Sequence, residues 1–134
     1  MQRKRLCPPN FTPTMGAYSH GLEISMGTSA FVFVTGQIAI NKYGELVSDD
    51  IVEQTEFVFE NIKMILNEAN TDFSSVVKVQ IFLTNIDDFS KVSPIRNRYL
   101  GDSNPVSTLI GVNALVAKGC KIEVEVIAIK SQVN

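Results

Sequence analysis

Residues 121–129 read KIEVEVIAI, and their alternation decides the fold. On an extended chain Ile122, Val124 and Val126 point one way, and Glu123, Glu125, Ile127 and Ile129 point the other. The two carboxylates then share a face, on the order of 7 Å apart. Two readings of the pair stand open. They are rim carboxylates, each facing a cross-strand lysine, or one of them is a general base. A carboxylate in a partly apolar setting has a raised pKa and takes a proton from water.

Outward from this strand the chain punctuates itself clearly. GLEIS (21–25) and SAFVFVTGQIAI (29–40) are strand patterns around the turn composition MGTS (26–29), and NKYGEL (41–46) turns the chain again. DIVEQTEFVFENIKMILNEAN (50–70) is a helix: Asp50 and Glu53 form a capping-box-like start, and Val58, Ile62, Ile65 and Ala69 recur at helical spacing. In VVKVQIFL (76–83), alternation puts Val77, Val79, Ile81 and Leu83 on one face, and Lys78 and Gln80 on the other. IDDFSKVSPIRNRYLG (86–101) is a shorter helix, in which Ser93 caps a segment with Pro94 at its first position and Gly101 at its end. Two further strands are expected, around STLIGVNAL (107–115) and in the opening stretch.

Two helices and five to six strands predict an α+β domain, a mixed sheet with both helices on one face. AFVFV (30–34) is apolar on both faces, and Ile127 and Ile129 add to the side opposite the helices. Leaving that side in water forfeits ~25 cal/mol per Å² of apolar surface. The chain has no third helix to cover it, so self-association is expected.

The 134 residues suit a single domain over 1–134, with 1–15 as N-terminal tail and lead-in. A hydrophobic share of 45% with 19% charged residues describes a soluble globular chain, and no apolar run reaches the ~20 residues of a membrane span. The basic MQRKRL (1–6) is followed by CPPNFTP (7–13), which has no apolar core, so it reads as a short solvated tail. Cys7 and Cys120 are too few and too far apart for a disulfide scaffold, which points to free thiols in the cytoplasm. Net charge is −2, and of the four arginines Arg3 and Arg5 lie in the tail while Arg96 and Arg98 share one segment. Nucleic acid is therefore not an expected partner.

With no glycine-rich phosphate loop and no paired histidines, neither a cofactor nor a metal is expected. His20 is the one histidine, so no Ser-His-acid set is supported. It reads as a turn or surface residue, Tyr18 in GAYSHG as an ordered loop aromatic, and Cys120 as a weak nucleophile candidate.

AYSHG (17–21), FVTGQIAI (33–40), GELV (44–47), EQTEFVFENIKMIL (53–66), VVKVQIFLTNIDDF (76–89), NPVSTLIGVNAL (104–115) and KIEVEVIAI (121–129) occur in this order. Together, from about residue 16 to residue 130, the chain resembles the Rid, or YjgF-type, family of reactive-intermediate deaminases, some labelled L-PSP endoribonucleases. The resemblance implies a chorismate-mutase-like fold and a homotrimer whose sheets form a central barrel, with small-molecule ligands in clefts between subunits. It implies hydrolysis of 2-imino or enamine acids to 2-oxo acids and ammonia. The family's tyrosine falls at Tyr18, the glycine that contributes its backbone at Gly36, and the water-orienting glutamate at Glu123; Glu125 acquires no role.

Two positions depart from the family pattern. Where deaminating members read Pro-Ala-Arg-Ser, this chain reads Pro105-Val106-Ser107-Thr108, so the arginine that clamps a carboxylate becomes Ser107, or Thr108 with the alignment shifted by one. The asparagine of a D-x-N-D-F-like stretch becomes Asp87, which also reads as a turn or helix-cap aspartate. A bidentate charged clamp contributes roughly 1.5–3 kcal/mol. An inward-facing Asp87 at ~6 Å would cost a carboxylate ligand about 3 kcal/mol at an effective dielectric of 20. Together these correspond to roughly a thousandfold in affinity. Lys118 and Lys121 are the candidate substitute cations. The expected function is a Rid-type hydrolase on C=N bonds with altered specificity, for a neutral or weakly anionic substrate. The alternative is a non-catalytic metabolite-binding or interaction protein on the same scaffold, and endoribonuclease activity ranks behind both.

Overall fold

The computed structural model describes residues 1–132. Six strands form one sheet: β1 (Gln2–Leu6), β2 (Gly21–Met26), β3 (Ser29–Gln37), β4 (Val76–Leu83), β5 (Val106–Gly111) and β6 (Ile122–Ser131). Their order across the sheet is β1-β2-β3-β6-β4-β5. Every pairing is antiparallel except β4 with β5, whose parallel connection runs through the second helix. The helices are α1 (Ile51–Glu68) and α2 (Phe89–Leu100). The predicted mixed α+β sheet with two helices is what forms.

The alternation of KIEVEVIAI sets the layers. Ile122, Val124, Val126 and Ala128 are buried with Val32, Val34, Val79 and Ile81 from the neighbouring strands. Val58, Phe59, Ile62, Ile65 and Leu66 of α1 close over them, joined by Val92, Ile95 and Leu100 of α2. On the opposite face Phe31 pairs with Ile129 and Phe33 with Ile127 across β3 and β6, and Leu22 and Ile24 of β2 continue the patch. Phe33 is 41% exposed and Ile129 38%. The apolar second face is therefore present and left open by the chain's own elements.

At the start of α1 the Asp50 carboxylate accepts from the Glu53 backbone N–H at 3.0 Å, as the capping pattern predicts. The reciprocal half of the box comes from elsewhere, because the Asp50 N–H donates to Ser48 Oγ.

Three expectations are corrected. The basic opening residues are not a solvated tail: Gln2–Leu6 form the strand expected in the opening stretch, pairing with β2 at the sheet edge, anchored by the buried Leu6, while four charged or polar side chains stay in water. Lysine and arginine on an edge also discourage pairing with further strands. Val77 does not share a face with Val79. The register slips between Val76 and Lys78, so Val76 enters the core and Val77 is turned outward at a bulge. Pro94 does not begin a helix but lies inside α2, whose first residue is Phe89. The turn before it is held by the fully buried Val92, and Ser90, whose carbonyl loses its helical partner to proline, is an exposed residue.

Gln54 was not singled out by sequence. It is fully buried, and its amide donates to the carbonyls of Ser48 and Gly119 at 2.8 and 2.9 Å, while its oxygen accepts from the Lys121 N–H at 2.8 Å. One side chain thus ties the start of α1 to the turn that launches β6, and so sets where Glu123 begins. Gln54→Ala orphans these backbone groups and is expected to cost about 2–4 kcal/mol in denaturant unfolding. A loss below 0.5 kcal/mol would show that the staple is dispensable.

Candidate functional site

Glu123 projects from the middle of the sheet into a cavity of about 550 Å³, with Tyr18, His20, Thr35, Gly36 and Asn61 among its lining. Its cross-strand neighbour on β4 is Phe82, and that of Glu125 is Gln80. Neither is a lysine, and among the described residues no cation lies within ion-pairing distance of either carboxylate. The rim reading, with a lysine opposite each acid, is therefore set aside. Burial, and secondarily the charge of Glu125, push the Glu123 carboxyl above its ordinary range.

Gly36 makes the position of Glu123 possible. The β3–β6 register slips between Val34 and Gln37, so β3 bulges where it passes Glu125. A Cβ built on residue 36 would overlap Glu123 Oε2 and stand 2.8 Å from its carboxyl carbon. Glycine is needed here for close approach, and the carboxylate rests directly against backbone.

Tyr18 lies across the same cavity on the segment that precedes β2, and its hydroxyl accepts from the Met15 N–H at 3.1 Å. Behind it runs a buried polar chain that sequence did not reveal. The Gln37 amide nitrogen donates to the Thr35 carbonyl at 3.0 Å, and its oxygen accepts from Asn61 at 3.4 Å. The amide nitrogen therefore also donates to His20 Nδ1 at 3.2 Å, and His20 Nε2–H donates to the Thr12 carbonyl at 2.6 Å. That network assigns a neutral imidazole with its proton on Nε2. Phe11 packs edge-on to the same ring at 4.8 Å. His20 is thus a buried strut under the loop that carries Tyr18, rather than a surface residue.

The remaining candidates lie elsewhere in the chain. Thr108 aligns with Gln80, which aligns with Glu125, so it occupies the glutamate face two strands over, on the order of 10 Å away. Ser107 aligns with the buried Val79 and so faces the helix side, where it lines a second cavity together with Arg96. Asp87 sits exposed in the 3-10 turn Ile86–Asp88, its N–H bonded to Asn85 Oδ1, and lines neither cavity. Lys121 Nζ donates to the Asp49 carbonyl at 2.6 Å, and Lys118 lines neither cavity either. Cys120 is 4% exposed, and its thiol is pushed up, chiefly by burial, which keeps it protonated and a poor nucleophile. Tyr18, Gly36 and Glu123 therefore meet in one cavity, while Ser107, Thr108 and Asp87 do not join them within a single chain.

The sequence matches the family described as Endoribonuclease L-PSP over residues 10–130. A RutC family protein of Pyrococcus abyssi is 41% identical over 87% of this chain and 88% of its own length. Among solved structures, the Rid family protein YyfA of Yersinia pestis is 35% identical with a TM-score of 0.84, covering 95% of this chain and 98% of that one. The E. coli protein TdcF, solved with bound serine, is 25% identical with a TM-score of 0.80, covering 96% and 99%.

Two consequences are measurable without a substrate. Gly36→Ala is expected to destabilise by about 1–3 kcal/mol through overpacking, and most of that loss should vanish when Glu123 is also alanine. A double-mutant cycle by urea unfolding checks this; additive losses would mean that the two residues do not touch. Glu123→Gln removes a carboxyl whose native pKa lies above its ordinary value of 4.5. The native state holds that proton more tightly than the unfolded chain, so wild-type stability falls as pH rises through the window above 4.5. The Tm advantage of the Gln variant should therefore grow between pH 4 and pH 8, and a constant or shrinking difference contradicts the burial of the charge.

Proposed function

Since the chain belongs to the endoribonuclease L-PSP family, the family of the RutC and Rid proteins, we propose that it is a small-molecule hydrolase acting on C=N bonds, an imine or enamine deaminase with altered substrate specificity. The observation that carries this reading is the desolvated Glu123 carboxylate, lodged against Gly36 in a cavity roofed by Tyr18.

In the proposed reaction water adds to the carbon of a C=N–H group. Glu123 accepts a proton from that water as the C–O bond forms and passes it to the imine nitrogen, giving a carbinolamine. Glu123 then takes the carbinolamine O–H proton and delivers it to nitrogen as the C=O bond forms and the C–N bond breaks, leaving a carbonyl compound and ammonia. A carboxylate with a raised pKa suits both steps, since it is a stronger base before attack and gives the proton back afterwards. The Tyr18 hydroxyl and the Gly36 backbone orient the ligand. No cofactor or metal enters this scheme.

The open apolar face built from Phe31, Phe33, Ile127 and Ile129 supports a homotrimer that packs these faces together. In such an assembly the site lies in a cleft between subunits, where an edge strand such as β5 of one chain approaches the Glu123 cavity of the next. Specificity differs from that of deaminating relatives because position 107 is serine. We further propose that the protein works in the cytoplasm, with the thiols of Cys7 and Cys120 free. Among the described residues no helix is long and apolar enough to cross a membrane.

A second reading is favoured by the lack of an arginine at position 107: a trimeric metabolite-binding protein that holds a ligand without turning it over. TdcF, with its bound serine, is a relative that holds a small molecule. RNA cleavage has less support, because the net charge of −2 offers phosphates no broad cationic surface.

Assay of a panel of neutral and anionic imines, by ammonia release, separates these readings. Glu123→Gln is expected to lower kcat about 100-fold or more on any active substrate. Unchanged turnover in that variant, or ligand recovered intact from the wild type across the whole panel, overturns the hydrolase reading.

A further inference from the structure

The second cavity has a composition that selects a ligand. It encloses about 430 Å³ between the C-terminal half of α2 and the start of β5, a size typical of small-molecule sites, which run from about 300 to 1,000 Å³. Its polar lining is Arg96, Asn97, Asn104 and Ser107, and no acidic side chain contributes.

Arg96 is the informative member. Its Nη2 donates to Ser93 Oγ at 3.0 Å and its Nε to Asn97 Oδ1 at 3.2 Å, both neutral acceptors. The guanidinium also lies over the Phe89 ring, 5.7 Å from its centroid. Among the described residues no carboxylate pairs with it, whereas Arg98, two residues on, pairs with Glu56 at 3.4 Å. A guanidinium has five N–H donors. Two are spent on neutral groups that hold it in place, and among the described residues no carboxylate offsets its charge beside the hollow.

We infer that this α2–β5 cavity binds the carboxylate of a small organic acid, with Arg96 as its anchor and Asn97, Asn104 and Ser107 as supporting polar groups. A carboxylate fits better than a phosphate ester because a single cation lines the cavity, matching one negative charge rather than nearly two. The cation sits on α2 and not on β5, so the site takes acids rather than the neutral ligands that Ser107 alone suggests. Within one chain this cavity lies on the opposite side of the sheet from Glu123, so it names the substrate class of the hydrolase reading only through the proposed trimer, where β5 of one chain approaches the Glu123 cavity of the next. The binding itself stands on this chain alone.

The test is calorimetric titration of the full chain with pyruvate, pyruvamide and methyl phosphate, in wild type, Arg96→Gln and Ser107→Asp. Pyruvate is expected to bind wild type and to weaken about 10- to 100-fold in Arg96→Gln, while pyruvamide is unaffected. Ser107→Asp, which faces Arg96 with a carboxylate while leaving it in place, should abolish pyruvate binding even if the Gln variant folds poorly. Equal pyruvate affinity in wild type and both variants, no pyruvate binding to wild type, or tighter Arg96-dependent binding of methyl phosphate overturns the assignment. Parallel imine assays keep the two proposals apart. Arg96-dependent pyruvate binding without any turnover leaves the acid site standing and removes the hydrolase. Turnover with an acid-over-amide preference that Arg96→Gln does not change removes the acid site and leaves the hydrolase.

Discussion

The structure depends on β6 lying between β3 and β4, where Val124, Val126, Ile127 and Ala128 each have a strand partner on both sides. A central strand has no freedom to slip, since a shift of one residue would move its whole core set to the other face. Ile122, Val124, Val126 and Ala128 hold the register through the core, and Glu123 is then committed to the opposite side, whatever that costs the carboxylate. The cost is real, because burial raises its pKa. It is kept low by the bulge in β3, where Gly36 clears the space a Cβ would fill. Core packing thus sets the position of the acid, and one missing side chain makes that position tenable.

The same parity rule separates the residues around position 107. Ser107 and Thr108 are adjacent in sequence, yet they lie on opposite sides of the sheet and meet different chemistry. Thr108 belongs to the row that carries Gln80 and Glu125, and Ser107 to the row that carries Val79 and faces α2. A one-residue uncertainty in alignment is therefore a choice between two faces. On the Ser107 side the guanidinium lining the cavity is that of Arg96.

Local pattern made much of this legible. The alternation of β6, the Asp50 cap and the buried stripe of α1 follow from rules that act within a few residues, and they hold in the structure. The convergence of Tyr18, Gly36 and Glu123 was reached through a family resemblance, since nothing in their spacing of 18 and 87 residues implies contact. What escaped depends on partners distant in the chain. Val77 is displaced by a bulge that alternation cannot reveal, and Pro94 is tolerated because Val92 is anchored in a core assembled from other elements. Gln54 looks like one more polar helix residue until Ser48, Gly119 and Lys121 close around it. Arg96 is an ordinary helix arginine until the parallel crossover brings β5 beside α2.

Within one chain the two cavities lie on opposite sides of the sheet and are opposite in charge, so only in the proposed trimer can one ligand meet Glu123 of one subunit and Arg96 of the next, and those charges would then orient it. At an effective dielectric of 20, a carboxylate placed ~6 Å from the Glu123 charge meets about 3 kcal/mol of repulsion, and Glu125 on the same face adds to it. Against Arg96 the same group gains roughly 1.5–3 kcal/mol from charge-assisted hydrogen bonds. In the proposed trimer, a ligand with an acid at one end and a C=N group at the other would put its acid toward α2 of one subunit, leaving the uncharged end for Glu123 of the next. In the proposed reaction the carboxyl assigned as base would also repel the part of the substrate it must not face, so orientation would follow from the same charges that support the chemistry.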